Sequence, residues 1–399
     1  MVVDNHSAGW LSKGFPWVYP KELARPVRSL QPGNTVQLQG LDGRALGAGL
    51  WDDGWLAVRR FREDPGPLDA ALFHTLLQAA ASRRRGMIPT KTDAWRLAHA
   101  ENDDLPGVRV DAWGDDLHIT LDSPGLRSLL PPLTQALIEL YDPARVTLGW
   151  RCDPRDKQRT ELPSSLLHRR PDASDASPET HQRVVHERGM AFQVFPAGGS
   201  DAGMFCDMRS NRALLDEFWS ERSVLNLFAY TGAFSVFAAA RGARRVVTAD
   251  LAATAIRRAQ DNFALNGLEP DRWEFERADS FKLLDRYRRR GERFDLVLAD
   301  PPPFSHGPGG TFSIGKDLGR LSTACLRIVE PGGLFVLACN QGTVAPRAFH
   351  GAVEQAARKA GRRLHLVLDG TQPPDFPAAV HFPEGRYLKL GVWSVWGSP

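Results

Sequence analysis

Two apolar runs of the sequence end in side chains able to do covalent or proton chemistry. In Phe294-Asp295-Leu296-Val297-Leu298-Ala299-Asp300-Pro301-Pro302-Pro303-Phe304 a strand-like run stops at three prolines, which donate no ladder hydrogen bonds and stiffen the exit. Asp300 is thereby held at the rim of whatever sheet the run joins. In Gly333-Leu334-Phe335-Val336-Leu337-Ala338-Cys339 the run ends in a thiol, followed by Asn340-Gln341-Gly342. If the two runs are neighbouring parallel strands, their ends lie about 5 Å apart. A nucleophile and a candidate proton acceptor, Cys339 and Asp300, then share one crevice. Standing alone, a strand-terminal cysteine is more often a small buried hydrophobe.

A second group of residues suits a nucleoside. Asn226-Leu227-Phe228-Ala229-Tyr230-Thr231-Gly232-Ala233-Phe234 reads as a strand-to-helix turn in which Gly232 opens the helix, and such turns let bare backbone approach a ligand. The turn, Phe228 to Gly232, lacks G-x-G-x-x-G, which weakens a dinucleotide reading. Asp250 ends the run Val246–Asp250, where a carboxylate can accept both ribose hydroxyls; Leu251 follows it. Asp279 and Ser280 end the next run and suit the exocyclic amine of adenine. Asn262, in the intervening helical segment, and Asp300 at its strand end are further cofactor-binding candidates. Each acid reads equally well as a helix cap.

These residues need a parallel sheet to hold them. Strands are expected at 224–228, 245–249, 273–277, 294–299 and 333–338 with helices between, the alternation of a doubly wound α/β fold. The runs 363–368 and 386–395 leave no room for a crossover helix and should pair antiparallel. A doubly wound sheet closed by an antiparallel strand resembles the class I methyltransferases. Ahead of it, residues 1–66 alternate short apolar runs with turn signals (Gln31-Pro32-Gly33-Asn34, Leu41-Asp42-Gly43-Arg44, Asp52-Asp53-Gly54) and read as a small β-rich module, closed by a linker at Glu63–Pro67. Residues 68–186 read as an α+β module, with helices over 68–85 and near 126–141, strands at 108–110, 117–121 and 145–151, and a polar, exposed insertion or linker near 168–182. Residues 187–399 form the third module.

Composition narrows the class. A chain of 399 residues with 42% hydrophobic and 24% charged residues is that of a soluble multidomain protein. No apolar run approaches the roughly 20 residues of a membrane span, and the start Met1–His6 has neither a basic leader nor an apolar stretch. A cytoplasmic protein is expected. Four scattered cysteines, Cys152, Cys206, Cys325 and Cys339, predict reduced thiols and no metal site. Eight lysines stand against 42 arginines, a bias that suits phosphate binding and equally a GC-rich genome.

Taken together, several patches resemble the ribosomal RNA large-subunit methyltransferases that make 5-methylcytosine, over nearly the whole chain. Lys13-Gly14-Phe15-Pro16-Trp17-Val18 is similar to that family's K-G-H-P-W-V at the start of a PUA domain. Asp104-Leu105-Pro106-Gly107 with Val110-Asp111 resembles its D-G-L-P-G segment, and Asp207-Met208-Arg209-Ser210-Asn211-Arg212 its L-D-Q-R-x-x-R. Asp300-Pro301-Pro302 and Ala338-Cys339-Asn340 match D-P-P-K-F and S-C-S, and Phe382–Lys389 resembles Y-P-E-G-x-Y-L-K. Three places depart from the pattern: Pro303 stands where it has lysine, Asn226 where it has aspartate, and Asp201-Ala202 where it has a lysine just before Gly203.

The resemblance implies S-adenosylmethionine as cofactor, with Asp207, Arg209 and Arg212 among its contacts, and large-subunit ribosomal RNA as partner; a homodimer is compatible with it. It implies that Cys339 adds to carbon 6 of cytosine so that carbon 5 can attack the methyl group, while Asp300 orients the base. The target nucleotide must then be single-stranded or extruded. Arg59, Arg60 and Arg62 are expected to hold neighbouring RNA, or else to line a solvated β-face. An amino-group RNA methyltransferase and a non-catalytic ribosome-assembly factor are the alternatives.

Overall fold

The computed structural model describes residues 1–27, 29–52, 54–151, 164–198, 202–307 and 310–397. Cys152, Asp53 and Asp201 lie outside them. The chain divides into two compact units: one of residues 1–188, 194–202 and 374–385, the other of 189–193, 203–373 and 386–399.

The first unit holds two sheets. Its four-stranded antiparallel sheet runs in the order Trp17–Val18, Val58–Arg62, Ala45–Trp51, Thr35–Gln39. Burial alternates strictly along Thr35–Gln39, the mark of a strand with one wet face. The five-stranded sheet runs Ala94–His99, Val108–Trp113, Asp116–Leu121, Arg145–Trp150, Ser165–Arg169. Its first and last strands, Ala94–His99 and Ser165–Arg169, lie outside the sequence-based expectation, because neither combines alternation with flanking turn signals. The helix Ala70–Arg84 starts where Asp69 accepts the Leu72 N–H. Leu130–Tyr141 follows a 3₁₀ turn and has proline in its first turn.

Two expectations are refined here. Ahead of the segment Glu63–Pro67 a cluster of Val3, Leu11, Val36, Leu38 and Val58 forms a core of its own, while Ala48, Leu50 and Phe61 of the first sheet also pack with Phe73, Leu77, Leu97 and Val110. The polar stretch 168–182 is largely exposed but anchored: the buried Arg145 donates to the carbonyls of Ser174 and Ala176, and His181 bonds Asp116 at 2.6 Å. Polar composition reported its solvent face and missed the buried partners.

The second unit is a seven-stranded sheet: β1 Ser223–Leu227, β2 Arg245–Asp250, β3 Glu274–Arg277, β4 Phe294–Ala299, β5 Val329–Cys339, β6 Arg362–Gly370 and β7 Lys389–Gly397. The spatial order is β3-β2-β1-β4-β5-β7-β6, with β1 to β5 parallel and β7 antiparallel to both neighbours. Helices α1 Ala233–Ala240, α2 Ala253–Leu265, α3 Ser280–Arg290, α4 Ile314–Leu326 and α5 Pro346–Ala360 make the crossovers. β1 is buried throughout, as a central parallel strand covered on both faces must be. β3 starts one residue later than expected and β7 three residues later. A two-stranded ribbon, Phe304–Gly307 with Gly310–Ser313, follows the prolines.

Candidate active site

The carboxyl ends of the parallel strands gather most of the chemistry-bearing residues. β1 is flanked by β2 and β4, so the order reverses there, and ligands of doubly wound sheets bind outside such a point. The turn after β1 is left-handed at Phe228 (φ 56°), Tyr230 (φ 50°) and Gly232 (φ 77°). Two non-glycine residues in that region cost about 1–3 kcal/mol each and persist only where surroundings over-determine them. Here the surroundings are explicit. The Tyr230 N–H donates to Asp250 Oδ2 at 2.8 Å and the Gly203 N–H to the Tyr230 hydroxyl at 2.9 Å. Thr231 Oγ1 donates to the Gly203 carbonyl at 2.6 Å, and Asn262 Nδ2 to the Thr231 carbonyl at 2.9 Å. A Cβ on Gly232 would meet Ala259 Cβ at 3.0 Å, so the backbone approaches α2 as only glycine allows.

Asp250 is partly exposed, and each of its oxygens takes one backbone N–H, Tyr230 on Oδ2 and Ala252 on Oδ1 at 2.9 Å. An ionised carboxylate offers about four lone-pair sites. Two bonds hold it in place and capacity remains for a pair of hydroxyls, so the edge fits a ribose, and Leu251 beside it is exposed. Asp279 caps α3 by accepting the Lys282 N–H at 3.1 Å, and Ser280 is buried at the first helical position.

Three of the expected cofactor contacts sit deeper. Asn262 is fully buried, with its oxygen taking the Gln193 N–H and its nitrogen on Thr231, so it holds the turn from behind. Arg209 and Arg212 are buried; Arg212 donates to the Phe205 carbonyl at 2.9 Å and lies 5.6 Å from the Phe234 ring centroid. Asp207 is more accessible and accepts the Tyr387 hydroxyl at 2.7 Å.

β4 and β5 are neighbours in parallel register, Ala299 beside Leu337, which places Asp300 and Cys339 at adjacent strand ends. Withdrawal from water, then the Asp207 carboxylate, push the Asp300 carboxyl up to about 7 against the pull of Arg212. Cys339 is fully buried. Burial and Asp300 raise its thiol, while the Gln341 N–H and the Lys389 charge pull the other way. Lys389, directly across the β5–β7 pair from Cys339, is the site residue that sequence reasoning gave no role. Its signal was a lone lysine opening the apolar run Leu390-Gly391-Val392-Trp393.

The expected RNA-holding arginines are placed differently. Arg59 is 2% exposed, pairs with Asp52 at 2.9 Å and reaches Glu101 at 3.5 Å; Arg60 is buried beside the Leu46 carbonyl. Both point into the first unit, so they are structural. Arg62 pairs with the exposed Asp64. Among the described residues no group of three His, Cys, Asp or Glu gathers as a metal site, and no helix is long and apolar enough to cross a membrane.

Sheet order and edge chemistry define a class I S-adenosylmethionine-dependent methyltransferase. A family model for S-adenosylmethionine-dependent methyltransferases matches residues 166–385, and one for PUA-like domains matches residues 1–61. Among solved structures, a proposed methyltransferase complexed with SAH superposes with TM-score 0.85 at 23% identity, covering 99% of each chain. A proposed SAM-dependent methyltransferase from Streptococcus mutans gives 0.82 over the same shares, also at 23% identity. Two relatives carry the description ribosomal RNA large subunit methyltransferase I. That of Aeromonas salmonicida is 30% identical, covering 95% of each chain, and that of Shewanella amazonensis is 31% identical, covering 97% of this chain and 96% of its own. The chain belongs to the family of these ribosomal RNA large subunit methyltransferase I proteins, and its cofactor is S-adenosylmethionine.

Proposed function

We propose that this protein methylates carbon 5 of a cytosine in large-subunit ribosomal RNA, working in the cytoplasm through a covalent Cys339–cytosine adduct. The observation that carries the reading is the juxtaposition of Cys339 and Asp300 at adjacent strand ends on the cofactor edge. Bound S-adenosylmethionine supplies an electrophilic methyl group. Asp250 would accept its ribose hydroxyls, the turn Phe228–Gly232 would cradle it, Asp279 and Ser280 would face its base, and Asp207 would border the site. Asn262, Arg209 and Arg212 serve by holding the segments that touch it.

Carbon 5 of cytosine is a poor nucleophile. The Cys339 thiolate forms a bond to carbon 6, which leaves carbon 5 an enamine carbon able to take the methyl group. The carbon-5 proton then passes to Asp300 or to a water, and its electron pair re-forms the 5,6 double bond as the carbon–sulfur bond breaks, returning the thiolate. Asp300, near neutrality in its titration, can donate to or accept from the base while it is held. We assign the chemistry to residues 187–399 and RNA holding to residues 1–66, with 68–186 between them. With Arg59 and Arg60 buried, the RNA contacts on the first module fall to exposed groups such as Trp10, 47% exposed, with the Lys13 ammonium 5.3 Å from its ring centroid.

One observation favours amino-group methylation as the second reading. Phe304, directly after the prolines, is 55% exposed, and with His306 set edge-on to it at 4.7 Å it still offers aromatic surface to a base. Amino-group transfer needs no thiol. RNA containing 5-fluorocytosine separates the two, because fluorine blocks loss of the carbon-5 substituent: a stable adduct mapping to Cys339 is expected, and full methylation by Cys339→Ala moves the assignment to the amino group.

A further inference from the structure

Lys389 opens the last strand of the sheet with its charge largely withdrawn from water. Its side chain is 9% exposed, and burying an ammonium is unfavourable unless it is paired. Its Nζ donates to the carbonyl of Gln341 at 2.8 Å and to that of Val344 at 2.9 Å, both in the loop that leaves Cys339. Two carbonyl dipoles satisfy two of three N–H groups and supply no counter-charge.

The register places a thiol across from it. Cys339 and Lys389 are directly opposite across the antiparallel β5–β7 pair, so both side chains leave the same face of the sheet with Cβ atoms about 4.5–5.5 Å apart. The other charged groups facing the thiol are Asp300 on β4, with Asp207 and Arg212 behind it. On that side the net field opposes a thiolate. The Gln341 N–H and Lys389 are what favour it.

We propose that Lys389 is the positioning residue that makes Cys339 usable as a nucleophile: its ammonium, across the strand pair, stabilises the thiolate and pins the loop 340–344 behind it. This rests on the reading of Cys339 as nucleophile. Burial lowers the lysine's own hold on its proton and the thiolate partly restores it, so charge on either group favours charge on the other. The consequence is a pH dependence. The rate rises with pH as the thiol ionises, and removing the cation moves that rise to higher pH.

Three variants of the full chain separate charge from structure. Lys389→Met removes both charge and hydrogen bonds, Lys389→Gln keeps an NH₂ group for the two carbonyls without charge, and Lys389→Arg keeps charge. Folding is verified by S-adenosylmethionine binding. Cys339 ionisation is read as the ultraviolet thiolate absorbance that disappears in Cys339→Ser, and methyl transfer to ribosomal RNA is followed against pH. Lys389→Gln and Lys389→Met should raise the midpoint of both curves by about one pH unit or more, the usual effect of removing a neighbouring charge. Lys389→Arg should bring the midpoint back towards that of the unmodified protein at a lower maximal rate. If Lys389→Met does not fold, the Gln and Arg variants decide. Unshifted midpoints in Lys389→Gln, with Cys339→Ala inactive, overturn this inference and leave the proposed function standing. An active Cys339→Ala overturns the nucleophile reading, and the absorbance titration still tells whether Lys389 governs the thiol.

Discussion

Around Arg84 in the first unit every charge has its answer, whereas at the carboxyl edge of β1, β2, β4 and β5 in the second unit charges are held with capacity left over. Arg84 places all five guanidinium N–H groups: on the Arg96, Ala80 and Asp375 carbonyls and on both oxygens of Asp103. Arg59 joins Asp52 and Glu101 in the same manner, and although burial works against its charge the two acids hold it above its usual value. Asp250, Asp300 and Cys339 differ: the first retains acceptor sites, the second titrates near neutrality, and the third is a thiol beside a cation. A fully answered buried charge fixes a structure, and an under-answered one at a sheet edge is available for ligand or proton.

The comparison breaks first at Cys339. Cys339→Ala should reduce methyl transfer to background while calorimetry shows unchanged S-adenosylmethionine binding, whereas Cys206→Ala and Cys325→Ala should stay active. Next in size is Arg59→Ala, which strands two buried carboxylates and should cost about 3–5 kcal/mol in denaturant unfolding. The folded fraction should still bind cofactor; a loss of binding with retained stability would place Arg59 in the site. Asp300 gives a pH signature. Its folded-state titration lies above the unfolded one, so its stabilising contribution is full at acid pH and is lost as pH rises to about 7. Unfolding curves should show Asp300→Asn gaining on the unmodified protein by about 2–4 kcal/mol across that window. Asp250→Ala should weaken cofactor binding by about 1.5–3 kcal/mol. The smallest effect belongs to Arg62→Ala, whose partner Asp64 is exposed: its unfolding midpoint should be indistinguishable from that of the unmodified protein.

The sequence made the strand ends legible because a buried parallel strand followed by a polar or proline-rich break is a strong local signal. Asp250, Asp279, Asp300 and Cys339 all lie at such breaks, and the antiparallel pairing of the last two strands followed from a gap too short for a helix. Direction and burial of side chains were not legible. Arg59, Arg60 and Arg62 look alike in sequence, and only the pairing with Asp52 and Glu101, up to 42 positions away, turns the first inward. Asn262 likewise reads as a polar helix residue until the Thr231 carbonyl is seen beside it. The linker at 63–67 was read from its own turn chemistry, while the shared core of Leu50, Phe61 and Phe73 is set by residues far from it.

The order of strands has a consequence for how the protein is made. β7 lies between β5 and β6 although it follows both in the chain, and residues 374–385, which belong to the other compact unit, intervene before it. During synthesis, at about 5–20 residues per second, β5 and β6 leave the ribosome with unsatisfied edges until the slot between them is filled. Lys389 arrives with that strand, so a nascent chain carries Cys339 before it carries the cation opposite, and the thiol is matched to its partner only when the sheet closes.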